Sequence, residues 1–387
     1  MKEAVLVSAV RTPIAKVRGA LKDMQPSEYG ALVIQEALRR ADVQGEEVED
    51  VIFGNCLHGG GNIARLSALK AGLPVTVPGL TIDRQCGSGI NSVALAAEAI
   101  MAGSARILVA GGTESMTRIP FLMEASSQAY DRTPPKFVRR ELSPPDIGNP
   151  PMGITAENLA ERYGISREEQ DEFSYQSQQK MKMAMEAGLF SEQIVPVNVP
   201  GKKGESFMFD TDEHPRPDST LAALAKLQPA FKQGGTVTAG NSSGVNDGAG
   251  ALVLMEGREA EKRGLEPLAR VTAWAVAGCD PNIMGIGPVP ATQKLLAKTG
   301  LRLDDMDLIE INEAFAAQVI ACDRELHFDP ERVNVTGGAI AHGHPIAATG
   351  SMLVTKLAYE LKRRGGSRGL VTACIGGGQG IALIIER

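Results

Sequence analysis

Two apolar runs constrain this chain more than anything else in it: Ile107-Leu108-Val109-Ala110 and Gly369-Leu370-Val371-Thr372-Ala373. Neither alternates polar with apolar residues, which marks strands covered on both faces. Each follows a helical stretch and precedes paired glycines. Cys86, a helix, a strand and Gly111-Gly112 stand in one half; His344, a helix, a strand and Gly376-Gly377 stand in the other. This repetition implies an internal duplication. Strands alternating with helices imply layered α/β halves around a largely parallel sheet. If the halves pack through their helices, the turns at Cys86 and His344 meet.

The remaining elements fit that scheme. Residues 4–10 read as a strand, Tyr29 to Ala41 as a helix, Val51 to Gly54 as a strand and Asn62 to Leu73 as a helix. Ile90, Val93, Ala94, Ala97, Ile100 and Met101 follow helical spacing, with Gly103 as a C-terminal cap. After Met116 the periodicity fails, and Pro134-Pro135, Pro144-Pro145 and Pro150-Pro151 interrupt the chain. Helices return at Thr155 to Tyr163 and from Ser166, where Ser166 and Glu169 form a capping-box pair. Further strands are expected at 249–255, 308–311 and 333–335, and a helix after Pro345 through Met352 to Leu361. The expected organisation is an N-terminal α/β half (1–117 with 246–267), an inserted loop domain (118–245) and a C-terminal half (268–387).

Composition excludes several functions. A net charge of −6 without a basic run argues against nucleic acid. No apolar stretch has the length of a membrane span, and the strand-like start leaves no room for a signal peptide. Five cysteines, an odd number without close pairs, suit reduced thiols in a cytoplasm. His342 and His344 lack a third ligand nearby, so no metal is expected. Too little chain follows Gly376-Gly377-Gly378-Gln379-Gly380 for a dinucleotide-binding unit, so no nicotinamide cofactor is expected either.

The chemistry concentrates in four stretches. Cys86 lies where an extended run meets a helix, a position that favours the thiolate. Gly87 and Gly89 are expected to leave room for a flat carbonyl beside its sulfur. Asn312-Glu313-Ala314-Phe315 follows a buried strand. His344 stands in Ala341-His342-Gly343-His344-Pro345, and Cys374 opens the glycine run before the last strand. Cysteine with histidine is the minimum for a thiolate nucleophile. A second thiol can serve as acid or base, and glycine-rich backbone can hold an oxyanion. Cys56, Cys279 and Cys322 read as packing residues, and Asn312 could equally cap a helix.

Over essentially its whole length the sequence resembles the thiolases. The likeness rests on Cys86-Gly87-Ser88-Gly89, on Asn312-Glu313-Ala314-Phe315, on Gly343-His344-Pro345 and on Cys374-Ile375-Gly376-Gly377-Gly378. Thr236 to Gly244 matches a further family motif. The resemblance implies a five-layer αβαβα fold of two similar halves with a loop domain inserted in the first. It implies acylation of Cys86, activation by His344 and proton transfer at the α-carbon by Cys374. Asn312 would hold a water that forms one oxyanion hole with His344, and the N–H groups of Cys86 and Gly376 would form the other. Arg216 would meet the nucleotide end of coenzyme A, and Ser243 beside Ala239 its pantetheine arm. Phe231, Met284 and Phe315 would line the acyl pocket. Coenzyme A, acetyl-CoA and acyl-CoA are then substrates rather than cofactors, and a homodimer or homotetramer is expected.

Three positions depart from the family pattern: Asp83 where Asn is usual, His342 where Leu is common, and Pro151 where short-chain members carry His. The competing enzyme is a decarboxylating ketoacyl synthase of the same fold, which has no need of Cys374. A non-catalytic acyl-CoA-binding relative would predict an unreactive Cys86.

Overall fold

The computed structural model describes residues 2–58, 61–130, 132–201 and 204–387. The first α/β run comprises β1 (Ala4–Arg11), β2 (Ala15–Lys16), α1 (Pro26–Arg40), β3 (Asp50–Gly54), α2 (Ile63–Lys70), β4 (Gly79–Ile82), α3 (Ser88–Ala102) and β5 (Ile107–Ser115). Helix α1 starts earlier than its apolar spacing predicts. Pro26 occupies its first turn, and Gln25 and Glu28 cap each other reciprocally. Asn62 is the cap of α2, its side chain accepting the Arg65 N–H at 3.1 Å. Gly103 closes α3 in the left-handed conformation, as expected.

The excursion carries α4 (Met152–Tyr163), α5 (Arg167–Glu186), β6 (Val197–Pro200), β7 (Ser206–Phe209) and α6 (Leu221–Leu224). Ser166 and Glu169 form their capping box at the start of α5. The chain then returns through β8 (Asn246–Glu256), α7 (Gly257–Lys262), β9 (Ala269–Gly278) and α8 (Pro288–Thr299). Both β9 and α8 add to the elements expected; the prolines of α8 fall in its first turn, where no intrahelical bond is lost. The last elements are β10 (Leu308–Ile311), α9 (Ala316–Leu326), α10 (Ala339–His342), α11 (Ile346–Arg364), β11 (Arg368–Ile375) and β12 (Gln379–Glu386).

Ten of the strands form one sheet in the order β10-β11-β12-β9-β1-β8-β5-β3-β4, with β2 beside β8, and β6 and β7 pair apart from it. The duplication is visible in the pairing. β3 runs parallel to β5 as β10 does to β11. β8 pairs antiparallel with β5 and β1, as β12 does with β11 and β9. An antiparallel pairing of β1 with β9, Ala4 opposite Val271, joins the halves. The sheet is therefore mixed, not largely parallel. Each half ends on a strand that returns antiparallel, β8 after the long excursion and β12 through the tight turn at Gly377-Gly378.

Residues 333–335 do not form the expected strand. Val333 makes a single bridge to Ile309, and Asn334 turns to a φ of 43°. The Asn334 amide takes the place of strand backbone, accepting from the Ile311 N–H at 3.0 Å and donating to the Ile311 carbonyl at 2.9 Å.

Alternation along the strands creates five layers. Val5, Val51, Phe53, Val109 and Val253 pack outward beneath α1 and α2. Leu6, Leu108 and Leu254 face inward on α3 and α11, whose other side meets Val371, Ala373, Ile381 and Leu383. Leu370, Ala382 and Ile384 then pack outward against α8 and α9.

Helices α3 and α11 cross at glycines. A Cβ on Gly89 would lie 2.4 Å from the Ser351 nitrogen, and one on Gly350 would lie 2.3 Å from the Ile90 nitrogen. A Cβ on Gly87 would lie 2.5 Å from Ile375 Cδ1. These glycines are buried between the halves and leave no space for a substrate carbonyl, which corrects the expectation drawn from the sequence. Their use is to let the backbones meet, and so to seat the two N-terminal turns together.

Candidate active site

Cys86 sits in the single tight turn Gln85–Gly87 ahead of α3 and is half-buried. Its own N–H and that of Gly376, in the β11–β12 turn, both favour the charged form of its sulfur. The two backbone donors expected to serve one carbonyl thus converge on the thiol. The helix start does not ionise it, however. Burial pushes the Cys86 thiol up to about 11, the two N–H groups offset only part of this, and Glu114 and Asp83 add negative charge nearby. The expectation of a ready thiolate fails because enclosure outweighs the turn's dipoles.

His344 precedes α11. Its N–H donates to Asn246 Oδ1 at 2.9 Å, and its Nδ1 lies 2.6 Å from Thr349 Oγ1 one turn into the helix. Its Nε2 lies 3.4 Å from Asn312 Nδ2. Burial lowers the ring to about 4, so it is neutral at physiological pH. Asn312 ends β10, where its N–H bonds to the Thr372 carbonyl at 3.0 Å. Its Oδ1 is buried and has no partner among the described residues. Cys374 follows Thr372 by two positions on the neighbouring strand and is fully buried. Burial raises its thiol well above the ordinary value, and the nearby Cys86 sulfur adds to the effect.

The apolar residues expected at the acyl pocket gather around that thiol. Met284, Phe315, Val237 and Ala156 pack with Cys374, joined by Met152. Phe231 stacks edge-on against Phe315 with centroids 6.0 Å apart. From the excursion, Leu142 closes over the glycine turn, its Cδ1 lying 3.1 Å from where a Gly376 Cβ would stand. Arg216 and Ala239 line a separate cavity of about 340 Å³ with His214, Ser219, Gly240 and Ile340. Ser243 anchors the motif loop to the site, its N–H donating to the Ala314 carbonyl at 2.9 Å.

The sequence reading assigned no role to four supporting residues, although Glu313 stood in a stretch it singled out. Glu313 is buried and accepts from Ser177 Oγ at 2.7 Å, Asn334 Nδ2 at 2.8 Å and the Ile340 N–H at 3.2 Å. It therefore ties α5 to the loop carrying His344. Glu114 accepts from Asn55 Nδ2 and from the N–H groups of Cys56, Leu57 and Ala347, bridging the exit of β3 to the start of α11. Burial raises Glu114 to about 7. Asn246 and Thr349 fix the imidazole itself. A carboxylate at the end of a strand buried along its whole length was the available signal for Glu114. Nothing local marks Asn246, which lies far away in sequence.

Thr349→Val keeps the shape of the side chain and removes the bond to Nδ1. We expect kcat to fall on the order of 10²-fold with little change in KM, since only the ring's orientation and tautomer are lost. Steady-state kinetics check this.

Two thiols, a neutral imidazole and backbone donors enclosed between duplicated α/β halves suit an enzyme that transfers acyl groups. Comparison with known proteins is specific. The thiolase N-terminal domain family matches residues 4–258 and the thiolase C-terminal domain family matches residues 265–387. The acetyl-CoA acetyltransferase of Escherichia coli strain K12 is 50% identical, with all of both chains covered. The beta-ketothiolase BktB of Cupriavidus necator is 47% identical over all of this chain and 99% of its own. A crystal structure of the Bacillus anthracis acetyl-CoA acetyltransferase superposes with a TM-score of 0.95 at 46% identity, covering 100% of this chain and 99% of that one. Human mitochondrial 3-ketoacyl-CoA thiolase in complex with CoA gives 0.92 at 43% identity, covering 100% and 98%. The chain belongs to the thiolase family, and it is an acyltransferase.

Proposed function

We propose that the protein catalyses the reversible, CoA-dependent cleavage of short 3-ketoacyl-CoAs, acetoacetyl-CoA foremost, and the reverse condensation of two acetyl-CoA molecules. The observation that supports this reading is that Cys86 has the Gly376 N–H and Cys374 beside it, in a turn packed against α11, while His344 ahead of α11 touches Asn312.

His344 takes the Cys86 proton as the sulfur attacks the 3-keto carbon. The C2–C3 bond breaks, its electrons pass to the acetyl-CoA enolate, and Cys374 delivers a proton to C2. The acyl group rests on Cys86 with its carbonyl oxygen on the N–H groups of Cys86 and Gly376. Coenzyme A then gives its thiol proton to Cys374, attacks the thioester and leaves as acyl-CoA, while the proton on His344 returns to the Cys86 sulfur. Because the intermediate is itself a thioester, both half-reactions lie near equilibrium and the kinetics are ping-pong.

Thr349 sets the imidazole for this task. When its hydroxyl accepts from Nδ1–H, the Nε2 lone pair is available to take the Cys86 proton, and the Nε2–H so formed can then face the thioester oxygen. In the resting ring Asn312 Nδ2 donates to that lone pair, and the orphaned Oδ1 is left to hold a water. Arg216, Ala239 and Ser243 are assigned to coenzyme A, which is a substrate; no resident cofactor or metal takes part in these steps.

Met152, Met284, Leu142, Phe231 and Phe315 crowd the chamber, which favours short acyl chains. Thiolysis of a series from the four-carbon substrate upward tests this. A fall in kcat/KM of about tenfold or more by eight carbons is expected, since methylenes that do not fit force repacking. Undiminished activity on long chains would reject the assignment.

The same reading includes a homodimer. Strand β4 ends the sheet with its outer edge unpaired among the described residues, and Leu80, Val75, Leu66 and Leu69 are exposed in and beside it. Light scattering should show a mass at least twice that of the chain. The five free thiols suit a reducing compartment such as the cytoplasm, and no helix among the described residues is long and apolar enough to cross a membrane.

A further inference from the structure

The turn that presents Cys86 holds an unusual residue. Gln85, immediately before the nucleophile, has a φ of 45°, the left-handed region that side chains other than glycine avoid. Something must hold it there. Asp83 Oδ1 accepts the Gln85 main-chain N–H at 2.9 Å and the Gln85 Nε2–H at 2.8 Å. A carboxylate accepting from the N–H two residues on is an Asx turn, the local bond that stabilises such a bend. On the far side, the Gln85 carbonyl accepts from Ser88 Oγ at 2.7 Å and from Cys56 Sγ at 3.5 Å. The Gln85 side chain then reaches the glycine turn, its Cγ lying 3.8 Å from where a Gly376 Cβ would stand. Gln85 is thereby pinned between Asp83 and the strand that supplies the second oxyanion donor.

We propose that Asp83 is the positioning residue of the nucleophile turn, clamping Gln85 so that the Cys86 sulfur meets the Gly376 N–H, and that its charge sets the pH at which Cys86 becomes reactive. The two roles separate cleanly. An asparagine Oδ1 accepts the same two bonds, so only the charge is specific to the carboxylate. That charge opposes the thiolate, in company with Glu114 on β5. The other titratable groups about the sulfur are Cys374 on β11, Cys56 after β3 and His344 ahead of α11, and all three are neutral over the working range. A negative neighbour raises a thiol, so removing it moves the reactive range down in pH. This rests on Cys86 being the thiol that accepts the acyl group.

The test compares Asp83→Asn with Asp83→Ala in the full-length enzyme. Iodoacetamide alkylation of Cys86 is followed by mass spectrometry from about pH 6 to about pH 10, and acetylation by acetyl-CoA is followed in the same samples. At a given pH below the thiol's midpoint, D83N is expected to alkylate about two to three times faster than the unaltered protein, its profile moving down by about half a pH unit. D83A loses the clamp as well and is expected to acetylate about tenfold more slowly than D83N. A D83N alkylation profile that overlays the unaltered one overturns the charge role, and equal acetylation of the two variants overturns the clamp. Failure of the unaltered protein to form acetyl-Cys86 would instead sink the thiolase assignment of that residue. Melting curves of both variants show whether each is folded before rates are compared.

Discussion

Cys374→Ala is expected to acetylate Cys86 from acetyl-CoA while losing exchange of the acetyl-CoA α-protons with deuterated solvent. Thiolysis should fall by about 10³- to 10⁴-fold, the range that a positioned acid or base supplies. The reason lies in where the thiol sits. It is fully buried on β11, and burial holds it protonated across the working pH range. A protonated thiol facing a nascent enolate is a donor, which cleavage requires at C2. In condensation the same sulfur must first take a proton from acetyl-CoA. Its raised pKa makes it a strong base once ionised and a scarce one, so exchange should quicken as pH rises above neutrality. Acetylation of Cys86 expels coenzyme A, whose thiolate can leave without a proton from Cys374, so this step should slow but survive. Cys374→Ser keeps the volume but its hydroxyl is too weak an acid for the task, so it should fail at exchange as the alanine variant does. Retained exchange in either variant would return Cys374 to the status of a packing residue among Met284, Val237 and Phe315.

Much of this was legible in the residues. The runs at Ile107 and Gly369 announced buried strands because both faces are covered, and the repeated order of turn, helix, strand and glycine pair announced the duplication. That pattern was enough to expect the turns at Cys86 and His344 to be brought together, and the Gln85–Gly87 turn does pack against α11. Strand direction was not legible, since β8 reaches its place only after an excursion of over a hundred residues and β12 only through a left-handed glycine turn. The strand expected at Val333 failed because Asn334 uses its side chain where backbone was anticipated. The state of the Cys86 thiol was misjudged from local dipoles, because enclosure by β11 and the Leu142 loop is a tertiary property. Glu313 and Glu114 were passed over for the same reason. Their partners come from α5, the 334–340 loop, the exit of β3 and the start of α11, which no spacing rule connects.

Gly89→Ala should be among the most damaging methyl groups that can be added to this chain, and it would act without touching a reacting atom. The new Cβ would stand 2.4 Å from a backbone nitrogen of α11, and backbone cannot step aside as a flexible side chain can. Helices α3 and α11 must then separate. The expected cost is about 3 kcal/mol or more, at the upper end of overpacking penalties because two buried helices move rather than one rotamer. The effect on activity should be larger than the loss of stability suggests. Cys86 lies just ahead of α3 and His344 just ahead of α11, so a shift of about 1 Å at the crossing moves the sulfur away from the imidazole and lowers kcat on the order of 10²-fold in the protein that still folds. Gly164→Ala provides the contrast. That glycine caps α4 at a φ of 60° with nothing within 4 Å of a Cβ, so it should lose about 1 kcal/mol from backbone strain and keep its kcat. Thermal unfolding and single-turnover acetylation on the two variants decide the matter. If Gly89→Ala behaves like Gly164→Ala in both, the meeting of the two catalytic turns does not depend on the close crossing of these helices, and the duplication positions the site by some other contact.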